Sequence, residues 1–500
     1  MAPSSRQGSS SRSKPSSRPG APSARPGSGP GARPGAKPTS ARPGNGKPGF
    51  ESDYRNAESR GPRPKPVADR GGERTPKRRI DRDGDQYSER PERTSGGPSL
   101  KNPFRSSREV HKERGTIPLH RPVAGFALQA VGRIMLEGRY ADKVIERAFK
   151  FEKSMGARDR RQFAELVYEL VRWFRRYGHA VGWDTETRMP TVEDLWGWLA
   201  AHLVEKSIMS GNGDGRPALP NWPELSSFNP ALIADKLADL ERGTDATTMA
   251  IRESVPDWFY LNGAKELGTH WPRFLRELNR QAPVIIRANT LKCTRDELKE
   301  RLAEEETLGT DEAYETKNGL ILKERRNIFT AAAFKEGWFE VQDGASQQVA
   351  DLVGAQPGER VIDACAGAGG KTLAIAANMK NKGKLIALDV HENKITELRR
   401  RVARAGIDTV EARLIESGKT IKRLENSADR VLLDVPCSGS GVLRRNPDAK
   451  WKFMPEDLDR VRTIQAEILD EYSSMVKPGG TLVYATCSIL PSENDEQVKK

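Results

Sequence analysis

The 500-residue chain carries 83 Lys and Arg against 69 Asp and Glu, a formal net charge of +14, with only four Cys and six His. The widely spaced cysteines exclude a disulfide framework and a zinc pattern such as CxxC, and no apolar run reaches the roughly 18 residues that a membrane span requires. The positive excess points to a polyanionic partner, most often a nucleic acid, or to a basic tail on a soluble protein.

Residues 1–118 are dominated by Gly, Pro, Ser and Arg, as in "SARPGSGPGARPGAKPTSARPGNGKPG". With almost no large apolar side chains, such a segment cannot offset its ordering entropy, and disorder is expected. It reads as an electrostatic RNA tether or a solubilising spacer. The start lacks the apolar core of a secretory signal, and the repeated Pro and Gly work against the amphipathic helix of a transit peptide. Scarce, unpaired cysteines fit a reducing compartment, and a cytoplasmic location is expected.

Residues 119–252 turn to helical periodicity. "AGFALQAVGRIMLEG" spaces Phe126, Val131, Ile134 and Met135 on one face, and "DRRQFAELVYELVRWFRRYG" does the same with Phe163, Leu166, Val167, Leu170, Val171 and Phe174. Further helices are expected at 191–206 and 229–240, with Pro217, Pro220 and Pro223 marking a loop between them. Residues 253–338 read as a small α+β unit. A helix starts at "PDWFYLNGAKELG", then "APVIIRANTLKCTRDELKERLAEE" reads strand, loop and helix, with Thr294 and Glu297 as a capping box. "GLILKE" and "GWFEVQD" are short strands, and Cys293 at the strand–helix junction reads as packing rather than chemistry.

From 339 to 500 strands and helices alternate. The expected strands are 360–366, 384–390, 409–415, 430–436 and 481–488, with helices such as 393–405 and 456–476 between them. That order predicts a parallel, doubly wound, Rossmann-like α/β sheet.

The turn "DACAGAGGKT" (363–372) follows the first strand and opens a helix. A P-loop would need Gly where Cys365 stands, and a GxGxxG fingerprint fails at Thr372, so neither a triphosphate nor a pyrophosphate fits. Asp389 ends the next strand, where an acid can accept both hydroxyls of a ribose. A ribose site without a pyrophosphate site fits S-adenosylmethionine, with its amino-acid end over the glycine turn.

"LLDVPCSGSG" (432–441) and "YATCSILPSEN" (484–494) each end a strand on a thiol, Cys437 and Cys487. Strands four and five of such a sheet are neighbours, and ligands bind beyond their carboxyl ends, so both thiols are expected in one crevice. Taken singly, each is as readily a small buried hydrophobe. A thiolate that adds to carbon 6 of cytosine makes carbon 5 nucleophilic toward a methyl sulfonium. Asp434, three residues before Cys437, is placed for the base edge. "DVPC" resembles the DPPY motif of amino-methylating enzymes with a thiol in place of the stacking aromatic, which favours carbon over nitrogen as acceptor. On local pattern the two thiols are interchangeable.

These stretches, with "VQDGASQQVADLVGAQPGERVIDACAGAGGKT", "LIALDVHENK", "RVLLDVPCSGSGVLRRNPDAKW" and "GGTLVYATCSILPSENDEQV", resemble the Nop/Sun family of RNA cytosine-carbon-5 methyltransferases over 341–498. The resemblance implies a class I S-adenosylmethionine-dependent methyltransferase domain. Before it stand a small RRM-like linker domain and, more loosely, a NusB-like helical domain at 119–252. It implies Cys487 as nucleophile and Cys437 as its partner in product release. Cys365, Ala366, Gly367, Ala368, Gly369, Gly370, Lys371, Asp389 and Asp434 are implied to line the cofactor pocket, with Glu416 in place of the family's usual acid after strand three. Ala368 replaces the family's proline and should loosen the turn. Arg444, Arg445 and Lys450 of "RRNPDAKW" are expected to clamp phosphates, with Trp451 stacking on a base. The expected substrate is ribosomal RNA, bound by a monomer without a metal; transfer RNA and a catalytically silent ribosome-assembly role are the alternatives. Two more strands would complete the family's sheet, so the sequence is expected to continue past Lys500.

Overall fold

The structure is a computed structural model that describes residues 119–184, 188–210 and 217–500. The expectation for 1–118 falls outside them.

The first helices are α1 (Arg121–Met135), α2 (Ala141–Phe151), α3 (Ala157–Arg172), α4 (Phe174–Ala180), α5 (Trp196–Ser210), α6 (Pro230–Arg242) and α7 (Ala246–Arg252). Their apolar stripes meet in one core, in which Val131, Phe163, Phe174 and Trp198 are buried. The stripe read across 159–178 is two helices, because the backbone leaves helical geometry at Trp173 (φ −105°, ψ 23°). Asn229 caps α6 by accepting from the amides of Ala231 and Leu232.

Next come α8 (Asp257–Leu267) and α9 (Trp271–Leu278), held together by the Phe259 and Trp271 rings at 5.4 Å. The small sheet is built from β1 (Ile285–Ala288), β2 (Thr310–Glu312), β3 (Gly319–Leu322) and β4 (Phe339–Val341), in the antiparallel order β2-β3-β1-β4. Two helices accompany it, α10 (Arg295–Glu306) and α11 (Ala332–Lys335). Thr294 and Glu297 form the expected capping box. β4 is the strand read in "GWFEVQD"; it lies past the boundary expected at 338, so the small unit extends a few residues beyond that boundary. β2 was not expected, since "TDE" has no apolar alternation to announce it.

The third unit runs α12 (Gly344–Leu352), β5 (Arg360–Asp363), α13 (Gly370–Asn378), β6 (Lys384–Asp389), α14 (Glu392–Ala405), β7 (Val410–Leu414), α15 (Gly418–Lys422), β8 (Ala428–Asp434), α16 (Ala449–Lys452), α17 (Pro455–Ser473), β9 (Val476–Ala485) and α18 (Asp495–Val498). Among the described residues its sheet is parallel throughout, in the order β7-β6-β5-β8-β9. Strand order reverses between β5 and β8, which opens a crevice at their carboxyl ends. Both faces of the sheet are covered, so β5, β6 and β8 read as apolar runs. No helix among the described residues is long and apolar enough to cross a membrane.

Candidate active site

The turn after β5 is shaped by backbone more than by side chains. Gly367 and Gly369 hold φ of +55° and +87°, the left-handed region where a side chain is strained. A Cβ on Gly367 or Gly370 would meet nothing within 4 Å, so that side of the turn is open, and α13 presents its amino end there. The Gly367 amide donates to Asp389 Oδ2 at 2.8 Å and the His391 amide to Oδ1 at 2.9 Å. Each carboxylate oxygen keeps a second lone pair, so Asp389 is held in place and can still accept a ribose hydroxyl. Ala368 does not leave the turn loose. Its carbonyl accepts from Arg401 at 2.8 Å, and Arg401 is in turn paired with Glu340 at 2.9 Å. Cys365 packs against the sheet core, where burial pushes its thiol far up, so it can line the pocket without reacting. Glu416 is exposed, two residues beyond β7, at the same end of the sheet as Asp389.

Asp363, the last residue of β5, is buried where that strand enters the turn. Thr372 donates to its Oδ2 at 2.7 Å, whereas Oδ1 is buried with no hydrogen-bond partner. Burial pushes its carboxyl up to about 7. An unmet buried oxygen beside a glycine turn suits a cationic ligand group such as the amine of an amino acid. The folded carboxyl therefore binds a proton at a pH where the unfolded one, near 3.9, has lost it. Its contribution to stability is accordingly lost as pH rises from about 4 to about 7. Asp363→Asn is expected to remove that decline from the thermal midpoint measured across this pH range, and an unchanged pH slope would contradict the assignment.

The two thiols meet as their strands predict. Asp434 pairs with Ala485 across β8 and β9, and Cys437 Sγ lies 3.1 Å from Cys487 Sγ. The Cys487 amide also donates to Cys437 Sγ at 3.3 Å. That sulfur–sulfur hydrogen bond drives the two apart in acidity: Cys437 is pushed up and Cys487 down. Cys487 is the exposed member, so the more acidic thiol is also the accessible one. Asp434 Oδ2 accepts from Lys371 Nζ at 2.6 Å, which ties the glycine turn to the thiol crevice. Gly441 leaves room for the Cys487 backbone: its amide donates to the Cys487 carbonyl at 2.9 Å, and a Cβ there would stand 2.7 Å from that oxygen. Cys293, by contrast, is buried in the small unit with its thiol pushed up to about 11 by burial, as expected of packing.

Sequence reasoning missed Glu493, Gln465 and Asn494. Glu493 is fully buried behind the thiols and accepts from the Ser438 and Ser488 hydroxyls, each at 2.5 Å. Asn494 accepts from the Thr486 hydroxyl at 2.7 Å and donates to the Ser488 carbonyl at 3.1 Å, bracketing Cys487 on both sides. The signal was the "SEN" that follows the strand, which by composition reads as a polar loop.

The expected phosphate clamp is corrected. Lys450 is buried, with Nζ donating to the carbonyls of Arg172 (3.2 Å), Glu253 (3.4 Å) and Ser254 (3.2 Å) and to Asn279 Oδ1 (2.5 Å). Burial, with the nearby charge of Arg172, pushes the ammonium down, against the pull of the Glu253 and Glu169 carboxylates. Trp451 packs on the core of the helical unit, edge-on to Phe174 at 6.0 Å, and donates to the Val171 carbonyl. Arg445 pairs with Asp343, with Nε at 2.7 Å, and Arg444 donates to the Gln281 carbonyl at 3.3 Å. The loop that leaves Cys437 is therefore a strut to the helical unit and the small unit; a basic loop beside an active site looks the same in sequence whether it faces solvent or a neighbouring unit. Lys450→Met leaves these oxygens without a donor and is expected to destabilise the fold by about 2–4 kcal/mol in denaturant unfolding. A loss below about 0.5 kcal/mol would contradict the strut.

The chain is similar to known proteins over most of its described length. Residues 350–500 match the family model described as 16S rRNA methyltransferase RsmB/F, and 255–329 match the ferredoxin-like domain that accompanies it. The ribosomal RNA small subunit methyltransferase B of Escherichia coli is 33% identical over 395 residues, 76% of this chain and 89% of that one. That of Pseudomonas putida is 34% identical over 268 residues, 53% of this chain, and the alignment spans only 59% of the Pseudomonas protein. The crystal structure of PH0851 superposes with a TM-score of 0.60 at 26% identity, covering 77% of this chain and 90% of that chain.

Proposed function

Because the chain belongs to the RsmB/F family of 16S rRNA methyltransferases, we propose that it transfers a methyl group from S-adenosylmethionine to carbon 5 of a cytosine in small-subunit ribosomal RNA. The observation that carries the cytosine chemistry is the pair of thiols 3.1 Å apart at the ends of two adjacent strands, with Cys487 the exposed member.

The glycine turn 365–371, Asp389 and Asp363 fit the cofactor: an open backbone surface, a fixed ribose acceptor and an unmet buried carboxylate oxygen. When bound, S-adenosylmethionine supplies an electrophilic methyl group beside the thiols. Cys487, as thiolate, forms a bond to carbon 6 of the cytosine, and the displaced electron pair makes carbon 5 nucleophilic. Asp434, held by Lys371, contacts the base edge as the ring takes up charge. Carbon 5 forms the bond to the methyl group. In release, water takes the carbon-5 proton, the freed electron pair restores the ring double bond, and the bond to Cys487 breaks toward sulfur, which takes a proton from the adjacent Cys437. The target base has to leave its stack to reach the crevice.

A transfer RNA substrate and a silent assembly factor are the remaining readings. Retention of both thiols with Asp434 in contact with Lys371 favours an active site over a silent fold. Bisulfite sequencing of small-subunit ribosomal RNA from cells with and without the gene tests the proposal: a cytosine protected only when the gene is present supports it. Protection confined to transfer RNA would move the substrate, and no protected cytosine at all would overturn the chemistry.

A further inference from the structure

The thiol pair is useful only if its spacing is held, and the two cysteines sit on loops that leave different strands. The contacts that fix those loops converge on one side chain. Glu493 Oε2 accepts from the hydroxyl of Ser438, the residue after Cys437, and from the hydroxyl of Ser488, the residue after Cys487, both at 2.5 Å. Its Oε1 accepts from the Ser438 amide at 2.8 Å and from Gln465 Nε2 at 3.0 Å. Gln465, fully buried on α17, also donates to the carbonyl of Pro436, the residue before Cys437, at 2.9 Å. From the other side, Tyr484 donates its hydroxyl to the Glu493 carbonyl at 2.9 Å. All of these donors are neutral amides and hydroxyls. Among the described residues no cation contacts this fully buried carboxylate; such a group is costly unless its oxygens are filled, and here they are filled by Ser438, Ser488 and Gln465.

We propose that Glu493 is the positioning residue of the thiol pair: a single carboxylate oxygen holds the residues that follow both cysteines and so sets the distance between Cys437 and Cys487. This rests on the methyltransferase reading above for its catalytic consequence but not for its geometry. Glu493 touches neither sulfur through a hydrogen bond and is not itself a catalytic residue. Its effect on the thiols runs through Ser438 and Ser488. The sulfur–sulfur hydrogen bond that separates the two acidities exists only while both loops are clamped. The carboxylate charge adds a lesser push upward on both thiols.

The test reads the thiols directly, in the full chain, without RNA or cofactor. Iodoacetamide alkylation of each cysteine is followed against pH by peptide mass spectrometry. In the unaltered protein Cys487 is expected to alkylate at lower pH than Cys437. In Glu493→Ala, and in the Ser438→Ala/Ser488→Ala double variant, that gap is expected to narrow by at least about one pH unit. The turnover number should fall at least about tenfold, with the Michaelis constant for S-adenosylmethionine changed less than about twofold. Glu493→Gln, which keeps the planar group and one accepting oxygen and can donate from its amide nitrogen to the serine hydroxyl oxygens, should recover part of the turnover lost in Glu493→Ala. If Glu493→Ala does not fold, the double serine variant decides. A gap unchanged in a folded clamp variant overturns the proposal, as does a narrowed gap with full turnover. A wild-type chain that shows the gap but makes no 5-methylcytosine would overturn the function proposed above while leaving the clamp standing.

Discussion

Replacing Cys487 by alanine is expected to lower methyl transfer by on the order of 10³-fold or more, because the step that makes carbon 5 reactive is lost rather than slowed. The assignment rests on an asymmetry within the pair. Cys487 is the exposed thiol, and the hydrogen bond from Cys437 makes it the more acidic of the two. Nothing in the glycine turn depends on this sulfur. S-adenosylmethionine binding by the Cys487→Ala variant, read by isothermal titration, is therefore expected to stay within about twofold. Transfer is measured by counting labelled methyl groups in RNA. Retention of more than about a tenth of the activity would remove Cys487 from the nucleophile's place.

The second large effect is of the opposite kind. Cys437→Ala is expected to leave the first bond to RNA intact and to slow its breakage by about 10²-fold or more, the usual size of a lost proton-transfer group. The protein would then accumulate as a covalent complex with RNA that survives denaturing electrophoresis. The structure gives the reason: Cys437 lies 3.1 Å from the sulfur that must leave, and the hydrogen bond to Cys487 pushes its own thiol up, so it is the member of the pair that holds its proton more tightly. The Cys437→Ala/Cys487→Ala double variant should form no adduct. An adduct formed by Cys487→Ala and absent from Cys437→Ala would reverse the two roles.

Much of this site was legible in the sequence because its parts are short and backbone-bound. The order of strands placed β8 beside β9, and two strands that end in cysteine must then share a crevice. The glycine turn announced itself by what it lacks, since neither a P-loop nor a dinucleotide fingerprint fits Cys365 and Thr372. The clamp of Glu493 was invisible for the opposite reason: a buried carboxylate on a loop has no periodicity, and its partners Ser438 and Gln465 are 55 and 28 residues away. The same limit misplaced Lys450 and Trp451. Their charge and aromatic ring fit an RNA contact equally well, and only the packing of the helical unit against Trp451 decides otherwise. Helix splitting at Trp173 and the polar strand β2 were hidden because apolar spacing carries no signal of a local turn or of a three-residue edge strand.

The proposed product of this crevice is 5-methylcytosine, formed through a cysteine-bound ring. The most direct measurement incubates the chain with small-subunit ribosomal RNA and S-adenosylmethionine carrying a deuterated methyl group, then digests the RNA to nucleosides for mass spectrometry. The expected result is the heavy methyl group in 5-methylcytidine, with loss of the hydrogen originally on carbon 5. Label in any other nucleoside, or methyl transfer that leaves carbon 5 unsubstituted, would contradict it.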